Sequence, residues 1–274
     1  ERDSLTYVAA ERVYMRGENV EARNSFVKYL QTFPEGAFSL NANYYIGLID
    51  YNQQNYESAS AHLNKVLEYP NNKYSEEAMM MSAEMAYLAK DYAKALEWYK
   101  LLKDRASTPE RRELAVTGML RSAAMAGNDE EVILAATAVL TDTKVAPELE
   151  NEARYYRAQS LVKVNQMAHA VADWQSLAQD TRNAYGAEAK YQLAQYLFDT
   201  GKTADAEKEV LNYLEVSTPH AYWLARSFVL LSDIYAKLDR KLEARQYLLS
   251  LKQNYQADDD IAGMIESRLE KLNE

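Results

Sequence analysis

The chain has 274 residues and a formal net charge of −10, a balance that argues against nucleic-acid phosphates as partners. Hydrophobic residues make up 48% of it, so a sizeable buried core is expected and wholesale disorder is excluded. There is no cysteine, which excludes disulfides, thiol nucleophiles and cysteine-ligated metals. Only eight glycines and five prolines occur, very few for an all-β protein with frequent turns.

Pairs of small residues, twelve positions apart, recur from the first part of the chain to the last. In chain order they are Ala10 and Ala22, Gly47 and Ala59, Ala83 and Ala95, Ala158 and Ala170, Ala194 and Ala206, and Ser232 and Ala244. One further slot, after the third of these pairs, holds Leu120 and Val132 instead. The spacing predicts seven repeating units, with 36 to 38 residues from one unit to the next.

Apolar residues follow the second member of each pair at offsets of four and seven. At offset four stand Phe26, Leu63, Tyr99, Ala136, Trp174, Val210 and Leu248, and at offset seven stand Tyr29, Val66, Leu102, Val139, Leu177, Tyr213 and Leu251. These offsets trace one face of an α-helix and not of a strand. Two antiparallel helices approach closely only where side chains are small, so each pair predicts the crossing point of two helices.

A tight turn between the two helices of each unit is predicted five residues before the second small residue. Glycine or a polar residue stands there in every unit: Gly17, Gln54, Lys90, Gly127, Asn165, Gly201 and Asp239. The five prolines fall between units, where they end one helix or begin the next. The sequence therefore predicts one array over residues 1–256, with approximate units 4–34, 37–70, 74–107, 109–143, 147–181, 185–218 and 219–256.

The period ends after Tyr255, and the segment 257–274 is predicted to form a capping helix. Its start is acidic, as suits a helix N-terminus, and its apolar residues share one face. Because an array must end in a polar outer surface, we expect a natural C-terminus here. The other end shows no such cap and begins with Glu1 rather than methionine, so we expect a fragment or a processed product. Further repeats would then precede it, and an upstream signal peptide or lipid anchor would lie outside this sequence.

The clearest units are GLIDYNQQNYESASAHLNKVLEYP (47–70) and AEMAYLAKDYAKALEWYKLL (83–102). Their order of small residue, aromatic, turn, aromatic and alanine resembles the tetratricopeptide repeat over about residues 4–256. The resemblance implies an all-α, right-handed α-solenoid of about seven antiparallel helix pairs with a C-terminal capping helix. Proline-ended units such as FVKYLQTFP (26–34) are similar to those of bacterial envelope proteins, among them Tol-Pal-associated periplasmic proteins and outer-membrane-assembly lipoproteins.

Aromatic residues recur on the first helix of the units, eight or fifteen positions before the second small residue. They are Tyr7, Tyr14, Tyr44, Tyr51, Tyr87, Tyr155, Tyr191 and Phe198. In tetratricopeptide arrays the first helices line the concave surface, so the resemblance places these rings at a groove that binds an extended peptide. The alternative is that the rings fill space between successive helix pairs. Predicted neighbours on the same wall make it mildly acidic and favour a basic ligand: Glu11, Glu84, Gln159, Gln195 and Asp233.

No motif in the sequence indicates chemistry. The three histidines, His62, His169 and His220, lie in different units and share no metal-binding spacing. The run Asp258–Asp260 favours helix capping over a cation site. Glycine-rich phosphate loops and nucleophile motifs do not occur, and the longest apolar run, VILAATAVL (132–140), is too short to span a bilayer. We expect no catalytic residue, cofactor, metal, nucleic-acid partner or membrane span in this segment.

Two functions follow as expectations. The first is a non-catalytic scaffold that binds a segment of a protein partner in its concave groove, as part of a longer bacterial envelope protein. The second is a structural spacer or oligomerisation arm of a larger protein, with an upstream catalytic domain as one variant. The resemblance favours the bacterial periplasm or the periplasmic face of the outer membrane, with the cytoplasm as the alternative.

Overall fold

The computed structural model describes residues 2–141, 145–216 and 218–274, and within these ranges all regular secondary structure is α-helical. In chain order the helices are α1 (Arg2–Met15), α2 (Asn19–Thr32), α3 (Ser39–Asn52), α4 (Tyr56–Glu68), α5 (Ser75–Leu88), α6 (Tyr92–Arg105), α7 (Pro109–Ala126), α8 (Asp129–Thr141), α9 (Pro147–Lys163), α10 (Met167–Leu177), α11 (Ala184–Asp199), α12 (Thr203–Glu215), α13 (Ala221–Lys237), α14 (Lys241–Asn254) and α15 (Ile261–Leu272). The all-α prediction is confirmed. The predicted end of the fourth repeat, residue 143, lies outside the described residues.

The chain divides into two compact units, the N-terminal unit (Glu1–Glu131) and the C-terminal unit (Val132–Glu274). In the N-terminal unit, consecutive helices pack against one another from α1 through α7. In the C-terminal unit, α9 to α15 do the same, and α11 also contacts α9 and α13. We call the odd-numbered helices α1 to α13 first helices and the even-numbered helices α2 to α14 second helices, after the order that the repeat predicts. The division into an array at 1–256 and a cap at 257–274 stays a prediction.

The small-residue pairs lie in the interior of the helix layers. Each member is buried, and so are Leu120 and Val132 in the slot that departs from the pattern. A Cβ atom on Gly47 would lie 2.7 Å from Cδ2 of Leu63, so α3 and α4 leave room there for a hydrogen atom only. The residues at offsets four and seven are buried as well, except Tyr99, which is half-buried.

The seven predicted turn residues all adopt the left-handed backbone conformation. Their φ angles are 61° at Gln54, 62° at Lys90, 61° at Asn165, 61° at Asp239, 79° at Gly17, 68° at Gly127 and 83° at Gly201. In the turn after α3, the N–H of Gln54 donates to the carbonyl of Tyr51 (3.0 Å) and the N–H of Asn55 to that of Asp50 (2.8 Å). The other six turns repeat this pair of bonds. It is the Schellman motif, which satisfies the last carbonyls of the first helix.

The last helix, α15, begins within the acidic segment at 258–260. The carboxylate of Asp259 accepts a hydrogen bond from the N–H of Ile261 (2.9 Å), so this acid satisfies a free donor at the helix start. Ile261 and Ile265 are buried against α13 and α14. Within the acidic segment, Asp259 therefore caps the helix, whereas the carboxylate of Asp260 accepts a hydrogen bond from the hydroxyl of Tyr222 (2.9 Å).

Candidate functional site

The predicted aromatic residues lie on first helices, but they differ in burial. Tyr7, Tyr44 and Tyr191 are buried in the cores of their units. The other five are partly exposed: Tyr14, Tyr51, Tyr87, Tyr155 and Phe198. Only this second group presents ring surface to solvent. Binding of a partner by any of the eight stays a prediction.

In the N-terminal unit, two of these tyrosines donate their hydroxyl protons to carboxylates. The hydroxyl of Tyr7 donates to Glu11 on the same helix (2.9 Å), and that of Tyr51 on α3 donates to Glu84 on α5. Burial, reinforced by these carboxylates, raises the pKa of Tyr7 and of Tyr51 well above the usual range of tyrosine. The second bond connects two successive first helices, so the predicted polar neighbours of the tyrosines are their hydrogen-bond partners.

Tyr44 connects the same two helices differently. Its ring stacks on that of Tyr74, with 4.1 Å between ring centroids, and burial raises the pKa of Tyr44 to about 12. The hydroxyl of Tyr74 accepts a hydrogen bond from the side-chain amide of Asn41 (2.9 Å). Tyr44 is therefore part of the packing between α3 and the start of α5, as the space-filling alternative expects.

A groove of about 770 Å³ lies between α1 and α2, and a second, of about 630 Å³, lies between α5 and α7 over the ring of Tyr99 on α6. The second groove contains Tyr87, one of the predicted site residues, and Glu84, one of the predicted polar neighbours. Its lining residues are Met80, Glu84, Tyr87, Leu88, Tyr99, Glu110, Glu113, Leu114, Thr117, Gly118 and Arg121. We call it the α5–α7 groove. It brings carboxylates, aromatic rings and exposed leucines together on one surface.

A glycine sets the depth of this groove. A Cβ atom on Gly118 would come within 2.4 Å of the Tyr99 ring, so any side chain there would displace the ring. The close approach lets the edge of Tyr99 form the floor between α5 and α7. Burial raises the pKa of Tyr99, so its hydroxyl stays protonated at neutral pH.

In the C-terminal unit, the matching tyrosines pair with neutral amides, and Tyr155 also interacts with the carboxylate of Glu188. The hydroxyl of Tyr191 donates to Gln195 (2.9 Å), and the amide of Gln159 donates to the hydroxyl of Tyr155 (2.7 Å). Tyr155 also stacks on Tyr185 with 4.3 Å between centroids. Tyr155 and Tyr185 thus join α9 to α11, as Tyr44 and Tyr74 join α3 to α5.

Arg226 on α13 lies among three aromatic rings of the C-terminal unit. Its guanidinium carbon is 4.7 Å from the ring centre of Tyr191 and 5.9 Å from those of Tyr222 and Trp223. It donates to the hydroxyls of Tyr191 (2.8 Å) and Tyr222 (3.0 Å). Burial raises the pKa of Tyr191, and the positive charge of Arg226 partly opposes that rise. A cation therefore occupies the centre of this aromatic cluster.

The sequence analysis did not single out Glu110, Glu113, Leu114 or Arg226. The first three follow Pro109 at helical spacing on a first helix, and this pattern was available in the sequence. Arg226 follows Tyr222 by four positions, a spacing that puts both on one helix face. What brings Tyr191 to Arg226 is the packing of α11 against α13, which no local pattern shows.

Within residues 2–141, 145–216 and 218–274, no group of three or more histidine, aspartate and glutamate side chains is arranged to hold a metal ion. No helix in these ranges combines the length and the apolar character that crossing a membrane requires. The Nδ1–H of His62 donates to the side-chain oxygen of Asn43 (2.9 Å), and burial lowers the pKa of His62. His220 contacts the carbonyl of Arg182, and His169 is exposed.

Comparison with known proteins identifies the repeat. Residues 44–109 match the family model described as tetratricopeptide repeat, and no curated protein sequence matches the chain. The solved structure of Naa15/Naa10 bound to HypK-THB is similar, with a TM-score of 0.60 and 15% identity, over 98% of this chain and 39% of that one. A tetratricopeptide repeat protein from Parabacteroides merdae ATCC 43184 has a TM-score of 0.48 and 13% identity, over 97% and 98% of the two chains. The TPR2AB domain of yeast Sti1, in a pHSP90 complex, has a TM-score of 0.44 and 14% identity, over 100% and 99%. Residues 44–109 thus match the tetratricopeptide-repeat family, and over nearly the whole chain the fold is similar to that of the Naa15/Naa10 structure.

Proposed function

We propose that this chain is a non-catalytic scaffold that binds a segment of a partner protein against its first helices. Tetratricopeptide repeats typically serve as protein-interaction scaffolds, because stacked helix pairs create long surfaces lined by equivalent positions. The observation that carries the proposal is the α5–α7 groove. It lies between two first helices, and Tyr87, Leu88 and Leu114 offer apolar surface beside carboxylates. Apolar surface ringed by a few polar groups is typical of a binding site.

We further propose that the scaffold belongs to a longer bacterial envelope protein and acts in the periplasm or on the periplasmic face of the outer membrane. The support is the resemblance of the proline-ended units, FVKYLQTFP (26–34) and LNKVLEYP (63–70), to envelope repeats. Fractionation of the source organism with an antibody against this chain tests the location. Recovery in the cytoplasmic fraction would contradict it.

Capture of partners by the purified chain tests the scaffold role. The double variant Tyr51→Ala and Tyr87→Ala removes two partly exposed rings from the first helices α3 and α5. The control variant Tyr69→Ala removes an exposed ring at the end of α4. We expect the double variant to reduce partner recovery by about tenfold, because a few aromatic residues dominate such interfaces. Tyr69→Ala should recover the partner like the original chain, and all three proteins should have equal helical circular dichroism.

Light scattering over a range of concentrations separates the scaffold from the oligomerisation arm. A scaffold that uses its groove stays monomeric, whereas an arm self-associates as concentration rises. Self-association that the double variant leaves intact, together with unchanged partner recovery, would contradict the groove and favour the arm.

A further inference from the structure

The α5–α7 groove has an excess of negative charge. Its charged lining residues are three carboxylates, Glu84 on α5 and Glu110 and Glu113 on α7, and one guanidinium, Arg121. Glu84 and Glu110 are exposed, and Glu113 is partly exposed. The nearby Arg111 pairs with Glu77 and does not line the groove. The surface that a ligand would meet is therefore acidic.

Apolar side chains stand beside these carboxylates at helical spacing. Leu88 follows Glu84 by four positions and is 55% exposed, and Leu114 follows Glu110 by four positions and is 40% exposed. Both leucines keep a large share of their surface in contact with water, so covering them on binding would be favourable. Each wall of the groove therefore places a carboxylate and a leucine four positions apart, facing the same ligand.

The floor suits the stem of a long cationic side chain. The ring edge of Tyr99 is uncovered between the two walls because position 118 is glycine. Lysine and arginine combine an apolar stem with a charged head, so the stem can lie along Tyr99 and Leu114 while the head reaches Glu110 or Glu113. An acidic ligand would place its charge against three carboxylates and be repelled.

We propose that the α5–α7 groove binds a partner segment in which a lysine or arginine lies next to an apolar side chain. The proposal rests on the scaffold function and names the class of ligand for one part of its surface. It assigns charge recognition to Glu110 and Glu113, and apolar contact to Leu88 and Leu114. Binding should weaken as salt is raised, because the charged groups lie at the surface.

Fluorescence anisotropy with two labelled peptides tests this assignment on the full chain. One short peptide alternates lysine with leucine, and the matched peptide has glutamate in place of each lysine. We expect the chain to bind the first and not the second. The double variant Glu110→Gln and Glu113→Gln should bind the first peptide about threefold to tenfold more weakly, as the loss of two exposed ion pairs implies.

A matched variant controls for the overall charge of −10. Glu57→Gln and Glu97→Gln neutralise two exposed carboxylates of the second helices α4 and α6, away from the groove. This variant should bind the lysine–leucine peptide like the original chain. Equal weakening in both double variants would show unspecific attraction and overturn the proposal.

Three further outcomes would also overturn it. Equal binding of both peptides, or of neither, would exclude a basic–apolar ligand, while partner capture that depends on Tyr51 and Tyr87 would keep the scaffold function. Self-association that disappears in the Glu110→Gln and Glu113→Gln variant would assign the groove to a second copy of this chain.

Discussion

The N-terminal and C-terminal units place different polar pairs at matched positions of the same helix pair. In the N-terminal unit, Asn43 precedes Gly47 by four positions and contacts His62, which follows Ala59 by three. In the C-terminal unit, the matching positions hold Lys190 and Glu209, whose charged atoms lie 2.6 Å apart. A neutral hydrogen bond and an ion pair thus occupy one register, because the small-residue crossing fixes the distance between the two helices.

The hydrogen-bond partners of tyrosines on the first helices also differ between the two units. Tyr7 and Tyr51 donate to carboxylates in the N-terminal unit, whereas Tyr191 donates to an amide and accepts from Arg226 in the C-terminal unit. The packing of each unit keeps the tyrosines in place, and the polar partner alone sets the local charge. The repeat therefore lets surface chemistry vary along the chain without a change of fold.

The largest expected effect tests whether both units depend equally on their crossings. Ala59→Glu and Ala206→Glu each put a charge at a fully buried position, so each should lower the free energy of unfolding by about 3 kcal/mol or more. Urea unfolding measures the loss, and hydrogen exchange should place it in the unit that carries the change. The exposed neighbours Ala61→Glu and Ala204→Glu should be nearly neutral. A mild effect at Ala59 or Ala206 would show that the crossing tolerates bulk.

Exchanging the polar pair tests the matched register directly. In the N-terminal unit, Asn43→Lys alone and His62→Glu alone should each cost about 1–3 kcal/mol, because each puts an unpaired charge at a buried or half-buried position. The double variant should recover at least about 1 kcal/mol of the summed loss, since Lys190 and Glu209 already pair at this spacing. A double-mutant cycle from urea unfolding measures the coupling. Strictly additive losses would mean that the two sites are not equivalent.

The turns are expected to behave alike in the two units. A Cβ atom on Gly127 or Gly201 would meet nothing within 4 Å, so changing either residue to alanine costs only the left-handed strain, about 1 kcal/mol. Conversely, Lys90→Gly and Asn165→Gly should raise stability by a few tenths to about 1 kcal/mol, because those residues already carry that strain. Thermal unfolding checks both signs. A loss of stability in Lys90→Gly would indicate a role for its side chain.

The smallest effect concerns pH in the N-terminal unit. Burial lowers the pKa of His62 in the folded chain below its ordinary value of 6.5, so the unfolded chain binds the proton more readily. The stability contributed by neutral His62 is therefore complete above that ordinary value and is lost as pH falls through it towards the folded pKa. Unfolding free energies of the chain and of His62→Gln, measured from pH 7.5 down to about 5, should converge with acid. A constant difference would contradict the burial of the neutral ring.

The sequence predicted those parts of the fold that local spacing controls. The seven left-handed turn residues and the buried small residues follow from offsets of five and twelve, since a helix pair repeats the same short-range geometry. The candidate site was predicted less completely. The tyrosines were placed on first helices, but the separation of buried Tyr7, Tyr44 and Tyr191 from partly exposed Tyr51 and Tyr87 depends on which neighbouring helix covers each ring.

By itself, the sequence determined the all-α class and the tight turns between helices, because periodicity and glycine or polar residues at the turns act within one repeat. The tertiary structure alone decided which side chains of different repeats meet. Tyr51 reaches Glu84 across 33 positions and Arg226 reaches Tyr191 across 35, and Gly118 uncovers the Tyr99 ring between α5 and α7. Such contacts depend on how one helix pair stacks on the next, and the chemistry of the surface is created there.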